Sequence, residues 1–337
     1  MVLFFRQFAA LVSSGIPLLQ ACDIVQKSQE KQSIQLFIQK IKTEIEQGKK
    51  LSDGLKKFPH YFDRLTCHLI QVGEYSGTLD TQLKYIAKNK ESALNLRKKI
   101  KQALFYPLVL FLVSISISLM MITCIIPRFA ELFQSTEHAL PPFTQAILTF
   151  SDWMNRYYWI SIFPLAAIFI LNHYRKKSLP LKQFFDYYVI KLPLIGIILK
   201  KIMLARMARS LSITFASGIP ITDALKLISD ASHNQAYLHA ILKLHLAISN
   251  GQSLYCSMQT NSFFPAAFIQ MVKIGEETGL LSSMFEKIAD IYENDIEYLF
   301  TTLSHLLEPL IMIILGVLIG GLIIAMYLPI FKVGTVI

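Results

Sequence analysis

The chain has 337 residues, 53% of them hydrophobic, and a mean hydropathy of +0.45. That is too apolar for an ordinary soluble globule, yet 33 Lys+Arg and 23 Asp+Glu are too many charges for a plain bundle of membrane helices, so spans joined to water-facing domains are expected. The net charge of +10 comes from cations crowding the flanks of apolar runs, with no basic recognition helix, which argues for a membrane surface and against nucleic acid.

The opening MVLFFRQFAALVSSGIPLL is apolar, but Arg6 stands inside the run instead of ahead of it, the wrong order for a signal peptide. Its pattern also returns in mid-chain. RQFAALVSSGIPLLQA at 6–21 and RSLSITFASGIPITDA at 209–224 share Arg, Ser-Gly-Ile-Pro and a closing Ala at an offset of 203. Gly15 and Gly218 can take positive φ to stop a helix, and Pro17 and Pro220 can start the next, which reads as an αα-hairpin corner.

Ile34, Phe37, Ile38, Ile41 and Ile45 then fall at helical spacing and form one apolar stripe, ended by Gly48. Leu238, Ile241, Leu242, Leu244 and Ile248 are the expected counterpart, ended by Gly251. QVGEYSGTLD at 71–80 is matched by KIGEETGLLS at 273–282, now at an offset of 202. Gly73 and Gly77, with Gly275 and Gly279, predict a sharp helix-to-helix turn, with Ser76, Thr78 and Thr278 available as caps. A long helix is expected after each turn, to about Lys101 and about His305.

Two uncharged runs follow these helices. Leu108 to Ile126 is bracketed by Pro107 and Pro127, and Leu310 to Leu328 by Pro309 and Pro329, again 202 apart. Roughly 20 apolar residues cross hydrocarbon as a helix, so both are predicted spans. Ser114 and Ser118 align with Gly316 and Gly320, small-xxx-small patterns that let helices approach closely in lipid. Between the repeats, Pro141-Pro142 marks a bend in a loop, and Tyr157 to Tyr174 is a third span by its aromatic belt and the Arg175-Lys176-Lys177 anchor. Segments 84–101 and 175–209 are rich in Lys and Arg and 127–158 is poor, which places the first two inside and the third outside. Both matched spans then run outward, so the repeats are parallel.

No phosphate-binding, dinucleotide, zinc-protease or nucleophile-elbow motif is present, the histidines are scattered and the cysteines show no metal-type pairing, so no enzymatic chemistry is expected. The spans hold no Asp, Glu, Lys or Arg, which counts against a small repeat-containing transporter. Glu74 and Glu276 could each serve a hard cation, with Asp23, Asp80 or Asp223 as a second carboxylate. A cation needs about 6–8 oxygens and only one or two can be named, so a capping or salt-bridging glutamate is expected. Glu286, Asp290, Glu293, Asp295 and Glu297 form an acidic stretch that reads as a solvated face, with a charged docking surface as the alternative.

RQFAALVSSGIP, VGEYSG, the FYP at 105–107, RSLSITFASGIP, IGEETG and EPLIMIILGVLIGGLIIAMYLPIFKVG recur in order, and in this the chain resembles the inner-membrane platform proteins of type IV pili and type II secretion, the PilC/GspF family. KKIKQALFYP and the terminal YLPIFKVG look more like the pilus branch. The resemblance implies several dozen residues ahead of the first Arg-Gln motif, which here stands at Arg6 and Gln7. It also implies a calcium site near Glu74, where this chain offers Gln20 in place of an acidic residue.

The expected fold is an all-α integral membrane protein of the bacterial inner membrane. Helical bundles at 1–105 and 175–307 are cytoplasmic, spans fall at 106–127, 157–174 and 308–329, and the loop 128–156 and tail 330–337 are periplasmic. The resemblance implies a homo-oligomer that works with hexameric assembly and retraction ATPases, pilin subunits and inner-membrane alignment proteins. A type II secretion platform is the alternative.

Overall fold

Helices account for the regular structure of a computed structural model that describes residues 1–125, 127, 128, 142–156, 193–230 and 234–334. They are α1 (Val2–Ser13), α2 (Leu18–Lys27), α3 (Gln32–Glu46), α4 (Leu51–Lys56), α5 (Arg64–Ser76), α6 (Leu79–Met120), a π-helical turn (Met121–Ile125), α7 (Pro142–Arg156), α8 (Pro193–Ala216), α9 (Ile221–Asp230), α10 (Gln235–Ser249), α11 (Leu254–Gln259), α12 (Ala266–Thr278) and α13 (Leu281–Gly334). The span expected at 157–174 lies outside the described residues, as do most of the loop before α7, the basic anchor at 175–177 and the last three residues.

The chain forms two compact units. One holds Met1–Lys98 and Gln183–Glu297, the other Lys99–Lys182 and Tyr298–Ile337. The two helix sets expected as separate bundles therefore share the first unit, and one hydrophobic core runs through both. The division falls within α6 and α13, earlier than the expected boundaries after 105 and 307. The last turns before the apolar runs bond to each other there, Ser304 Oγ to the Ala103 carbonyl and Tyr106 to Glu308.

In the first unit, α2, α3, α4 and α5 have 10, 15, 6 and 13 residues, and α9, α10, α11 and α12 have the same four lengths. The offset drops from 203 to 202 in one place, the connection after α11, which is one residue shorter than that after α4. Positive φ occurs among the described residues only at six glycines, and these form matched pairs: Gly15 with Gly218, Gly48 with Gly251, Gly77 with Gly279. Each closes a helix whose next residue must turn away, a conformation that a Cβ disfavours.

The apolar stripe of α3 buries Phe37, Ile38 and Ile41 as its spacing predicts. On α10 the seam is Tyr237, Ala240, Ile241 and Leu244; Leu242, expected in the stripe, is exposed, because it lies one residue round the helix from Ile241 and outside the arc that reaches the core. α1 belongs to the same core. Phe4 stacks on Phe8 at 5.4 Å and meets Phe5 and Phe37 edge-on at 5.2 and 5.9 Å, geometries that favour aromatic pairs. The α5 helix starts at Asp63, whose carboxylate accepts the Thr66 N–H at 2.7 Å. Burial alone would raise the pKa of Asp63, but Lys90 and Thr66 outweigh it and hold the carboxyl below its usual range.

Two helices are long and apolar enough to cross a membrane, Leu79–Ile125 and Leu281–Ala325. The prolines expected to bracket the spans lie instead inside continuous helices: Pro107 within α6, Pro309 and Pro329 within α13. The long helices therefore do not stop near Lys101 and His305. Residues 142–156, expected as loop after the Pro141-Pro142 bend, form helix α7, with Pro142 in its first turn, where no N–H is needed.

Cys22 and Cys67 are buried at 1% and 4% exposure, and burial pushes their thiols up to about 12 and about 11. Cys256, on α11, is exposed. At pH 8 in mild detergent, a water-soluble maleimide is expected to modify Cys256 and leave Cys22 and Cys67 intact until the protein is denatured, as read by mass spectrometry. Rapid modification of Cys22 in the folded protein would contradict this packing.

Candidate functional site

Three residues at the end of α5 do three different jobs. Gly73 is not in the turn but inside the helix, where a Cβ would stand 2.8 Å from Gln82 Cγ and 2.9 Å from Leu79 Cα. Its missing side chain lets α6 fold back tightly on α5. Gly275 repeats this against α13, with Met284 Cγ at 3.0 Å and Leu281 Cα at 3.2 Å. Gly77 and Gly279 make the turn itself, at φ 71° and 72°. Ser76 and Thr278 do not cap the following helix; their hydroxyls bond back to the carbonyls of Val72 and Ile274. The Thr78 hydroxyl lies 2.7 Å from that of Ser76.

Glu74 reaches away from its own corner to the start of α4. Its carboxylate accepts the Leu51 N–H at 2.5 Å, the Ser52 N–H at 3.3 Å and the Ser52 hydroxyl at 2.5 Å. Glu276 likewise accepts the Leu254 and Tyr255 N–H groups at 2.9 Å each, at the start of α11. The first N–H groups of a helix have no partner inside it, so each glutamate caps a six-residue helix from 22 residues away. α4 has no cap from its own N-cap residue, Lys50, whereas at α11 Ser253 also accepts the Cys256 N–H. The groups around Glu74 are donors, Asp23 pairs with Lys42 at 2.6 Å, and among the described residues no three His, Cys, Asp or Glu side chains converge. The arrangement does not fit the calcium ion that the resemblance implied, since a cation needs converging lone pairs.

Glu286, Asp290, Glu293 and Asp295 in the acidic stretch of α13 are paired with cations, and the side chains of Glu286, Asp290 and Asp295 stay 42%, 58% and 46% exposed, as a solvated face would be. Arg209, 9% exposed, donates to Asp290 at 2.6 Å and to Glu293 at 3.0 and 3.1 Å. Burial would lower its pKa, but the two carboxylates outweigh it and raise the value above the ordinary one. Lys201 reaches Asp295 at 2.5 Å, and Lys88 of α6 reaches Glu286 at 2.6 Å. At the positions of Glu286 and Asp290, α6 carries Lys84 and Lys88, so the charge is reversed between the long helices. An apolar groove of about 340 Å³ lies beside the clamp, lined by Ile197, Leu204, Phe268, Ile288 and Tyr292 with Lys200.

The second unit is held by hydroxyls placed on carbonyls that prolines leave without a donor. Pro107 has no N–H for Ala103, and Ser304 Oγ donates to that carbonyl at 2.6 Å. Pro329 stands four residues after Ala325, whose carbonyl takes the Thr144 hydroxyl at 2.7 Å. In the π-helical turn a carbonyl bonds the N–H five residues on; for Ile122 that residue is Pro127, and Ser151 Oγ donates to it at 2.5 Å. Thr144, Ile147 and Ser151 share one face of α7, and Ile147 packs with Ile122, Leu318 and Leu322. These three hydroxyls were not singled out from the sequence, although prolines inside apolar runs were the available signal. Ser114 and Ser118 are buried, their hydroxyls bonded to carbonyls of their own helix. Their counterparts differ: a Cβ at Gly316 or Gly320 would meet nothing within 4 Å, so the expected packing face has no partner there among the described residues.

Among the described residues the protein is all-helical, and two of its helices are long and apolar enough to cross a membrane. The chain belongs to the family described as type II secretion system (T2SS), protein F, whose model matches residues 4–127 and 207–329. It is 39% identical to the type IV pilus assembly protein PilC of Pseudomonas aeruginosa, over 99% of this chain and 90% of that one. It is also 39% identical to the type IV pilus assembly protein TapC of Aeromonas hydrophila, over 98% and 81%. Identity to the type II secretion system protein F of Vibrio cholerae is 29%, over 99% and 82%. The similarity is thus greater to these pilus proteins, and the family is one of membrane platforms and not a known enzyme family.

Glu74→Ala is expected to destabilise the protein by about 1–3 kcal/mol, and Glu276→Ala by less, because Ser253 still caps α11. Denaturation followed by circular dichroism in detergent reads both; equal losses would show that Ser253 gives α11 no backup, and no loss from Glu74→Ala would refute the remote-cap assignment. Ser304→Ala is expected to cost about 1–3 kcal/mol in the same assay and much less in a Pro107→Ala background, where the restored N–H serves Ala103. Additive effects of these two substitutions would show that Ser304 does not act on the freed carbonyl.

Proposed function

We propose that this protein is the inner-membrane platform of a type IV pilus assembly machine, built from two copies of one helical domain that each lead into a span. The observation that carries the reading is the paired match to one family at 4–127 and 207–329, in a chain 39% identical to two relatives named for pilus assembly. Equal helix lengths, paired turn glycines and paired Gly-Glu motifs support the duplication.

In this reading the helical unit faces the cytoplasm, takes up motion or force from a hexameric assembly ATPase, with a retraction ATPase as its counterpart, and the membrane part inserts pilin subunits into the fibre or extracts them from it. Three spans, with 157–174 as the second, leave the N-terminus inside and the C-terminus outside. Inner-membrane alignment proteins and further copies of the chain complete the assembly. The protein acts by moving and holding other chains and catalyses no reaction itself.

Deleting the gene is expected to abolish surface pili while pilin still accumulates in the membrane, with restoration by the intact gene. A deletion strain with normal pili would sink the proposal. A strain that keeps its pili and loses export of folded proteins would favour the secretion reading, which the Vibrio cholerae relative supports. For topology, a periplasm-active reporter fused after Phe143 should be active and one after Ile241 silent; the reverse pattern would overturn the orientation.

A further inference from the structure

The last turns of α6 before its apolar run carry Arg97, Lys98, Lys99 and Lys101, all exposed. Nearby cations of the same helix are occupied: Lys90 by Asp63, Lys88 by Glu286, and Lys84 by Asp80. Arg97, Lys98 and Lys101 make no ion pair among the described residues, and at helical spacing they fall within one arc of about 100°. Along the helix, Lys101 lies about 4.5 Å from Leu104, the first exposed apolar residue of the run, and Arg97 about 10 Å from it, at 1.5 Å per residue. That interval spans the headgroup layer of a bilayer and is within about one Debye length of its surface. Exposed Phe105 and Tyr106 follow, the residue types that sit at the same level. The corresponding turn of α13, 202 residues on, reads Leu299, Phe300, Thr301, Leu303 and has no cation.

We propose that this turn of α6 is a binding site for anionic phospholipid headgroups, present on one of the two long helices and absent from the other. The proposal rests on the reading that α6 crosses the membrane. Three exposed cations at headgroup depth, without an ion pair among the described residues, need anions. The anionic leaflet is continuous with the span that carries them, so it is the occupant, in preference to an acidic surface of a partner protein. The consequence is asymmetry: α6 is pinned to the leaflet by charge, while the matching turn of α13 offers leucine, phenylalanine and threonine side chains.

The test uses the purified full chain in nanodiscs of phosphatidylglycerol and phosphatidylethanolamine in equal amounts, with retained lipid counted by native mass spectrometry. Each cation near a leaflet strengthens the attraction of anionic lipid about fivefold. The wild type should retain phosphatidylglycerol preferentially, and R97Q/K98Q/K101Q should lose that preference by roughly tenfold or more, with an unchanged circular dichroism spectrum. K98R/K101R keeps the charge and should keep the preference. A triple variant that retains the wild-type preference, or a wild type with none, overturns the proposal. So does a triple variant with intact lipid preference that no longer co-purifies with an assembly ATPase, which would assign the run to a protein partner. Alkaline carbonate extraction of cell membranes separates the two readings. A chain that carbonate removes refutes the span itself, whereas a carbonate-resistant chain without lipid preference refutes only the headgroup site.

Discussion

A carbonyl held in hydrocarbon without a donor costs more than most packing contacts return, and the membrane-capable part of this protein is arranged around that constraint. Pro107 and Pro329 lie inside long apolar helices and Pro127 follows the π-helical turn, and at the Ala103, Ala325 and Ile122 carbonyls a hydroxyl from another segment supplies the hydrogen that the proline lacks. A helix with its backbone fully paired has no polar reason to choose a neighbour in lipid. One that lacks a single donor does, and the choice is specific, because a hydroxyl must come within about 3 Å of one oxygen. Proline here is less a helix breaker than a means of exposing an address on the backbone, read by Ser304, Thr144 and Ser151.

The helical unit uses a different economy of residues. Gly73 admits α6, Glu74 holds the start of α4, and Gly77 turns the chain, so one five-residue segment ties three helices together. Gly275, Glu276 and Gly279 do the same in the second set. Replacing either glutamate by glutamine would keep the size and lose the charge that favours helix N-termini. The sets differ in how the long helix is clamped. Arg6 meets Glu91 at 3.9 Å in an exposed pair, while Arg209 is buried against two carboxylates.

Local periodicity made much of this legible in the sequence. The stripe of α3, the helix stops at Gly15, Gly48 and Gly77, and the long apolar runs depend on neighbours within a few residues, which a linear pattern records. What depended on distant partners was not legible. The role of Glu74 needs Leu51 and Ser52, and the reason for Gly73 is the backbone of Leu79 across the corner. The cations that pair with the acidic stretch of α13, Lys88, Lys201 and Arg209, lie on other helices, so its ion pairs leave no local pattern. Leu242 is apolar at near-helical spacing but falls outside the arc of Tyr237, Ala240, Ile241 and Leu244 that α10 buries. Prolines bracketing apolar runs suggested helix ends, because the compensating hydroxyls are as much as 201 residues away.

Tyr106 donates to Glu308 at 3.1 Å, and the two stand 202 residues apart, the interval that separates matching landmarks in this part of the chain. Each position therefore meets its own counterpart, yet the two residues differ in kind. Two first halves placed together would set tyrosine on tyrosine and Lys88 against Lys84. Two second halves would set Glu308 on Glu308 and Glu286 against Asp290, a pile-up of like charge. If the chain were cut into two separately expressed fragments, neither could substitute for the other, and the mixture would sort into unlike pairs. Left-right asymmetry is thus written into the seam between the two long helices.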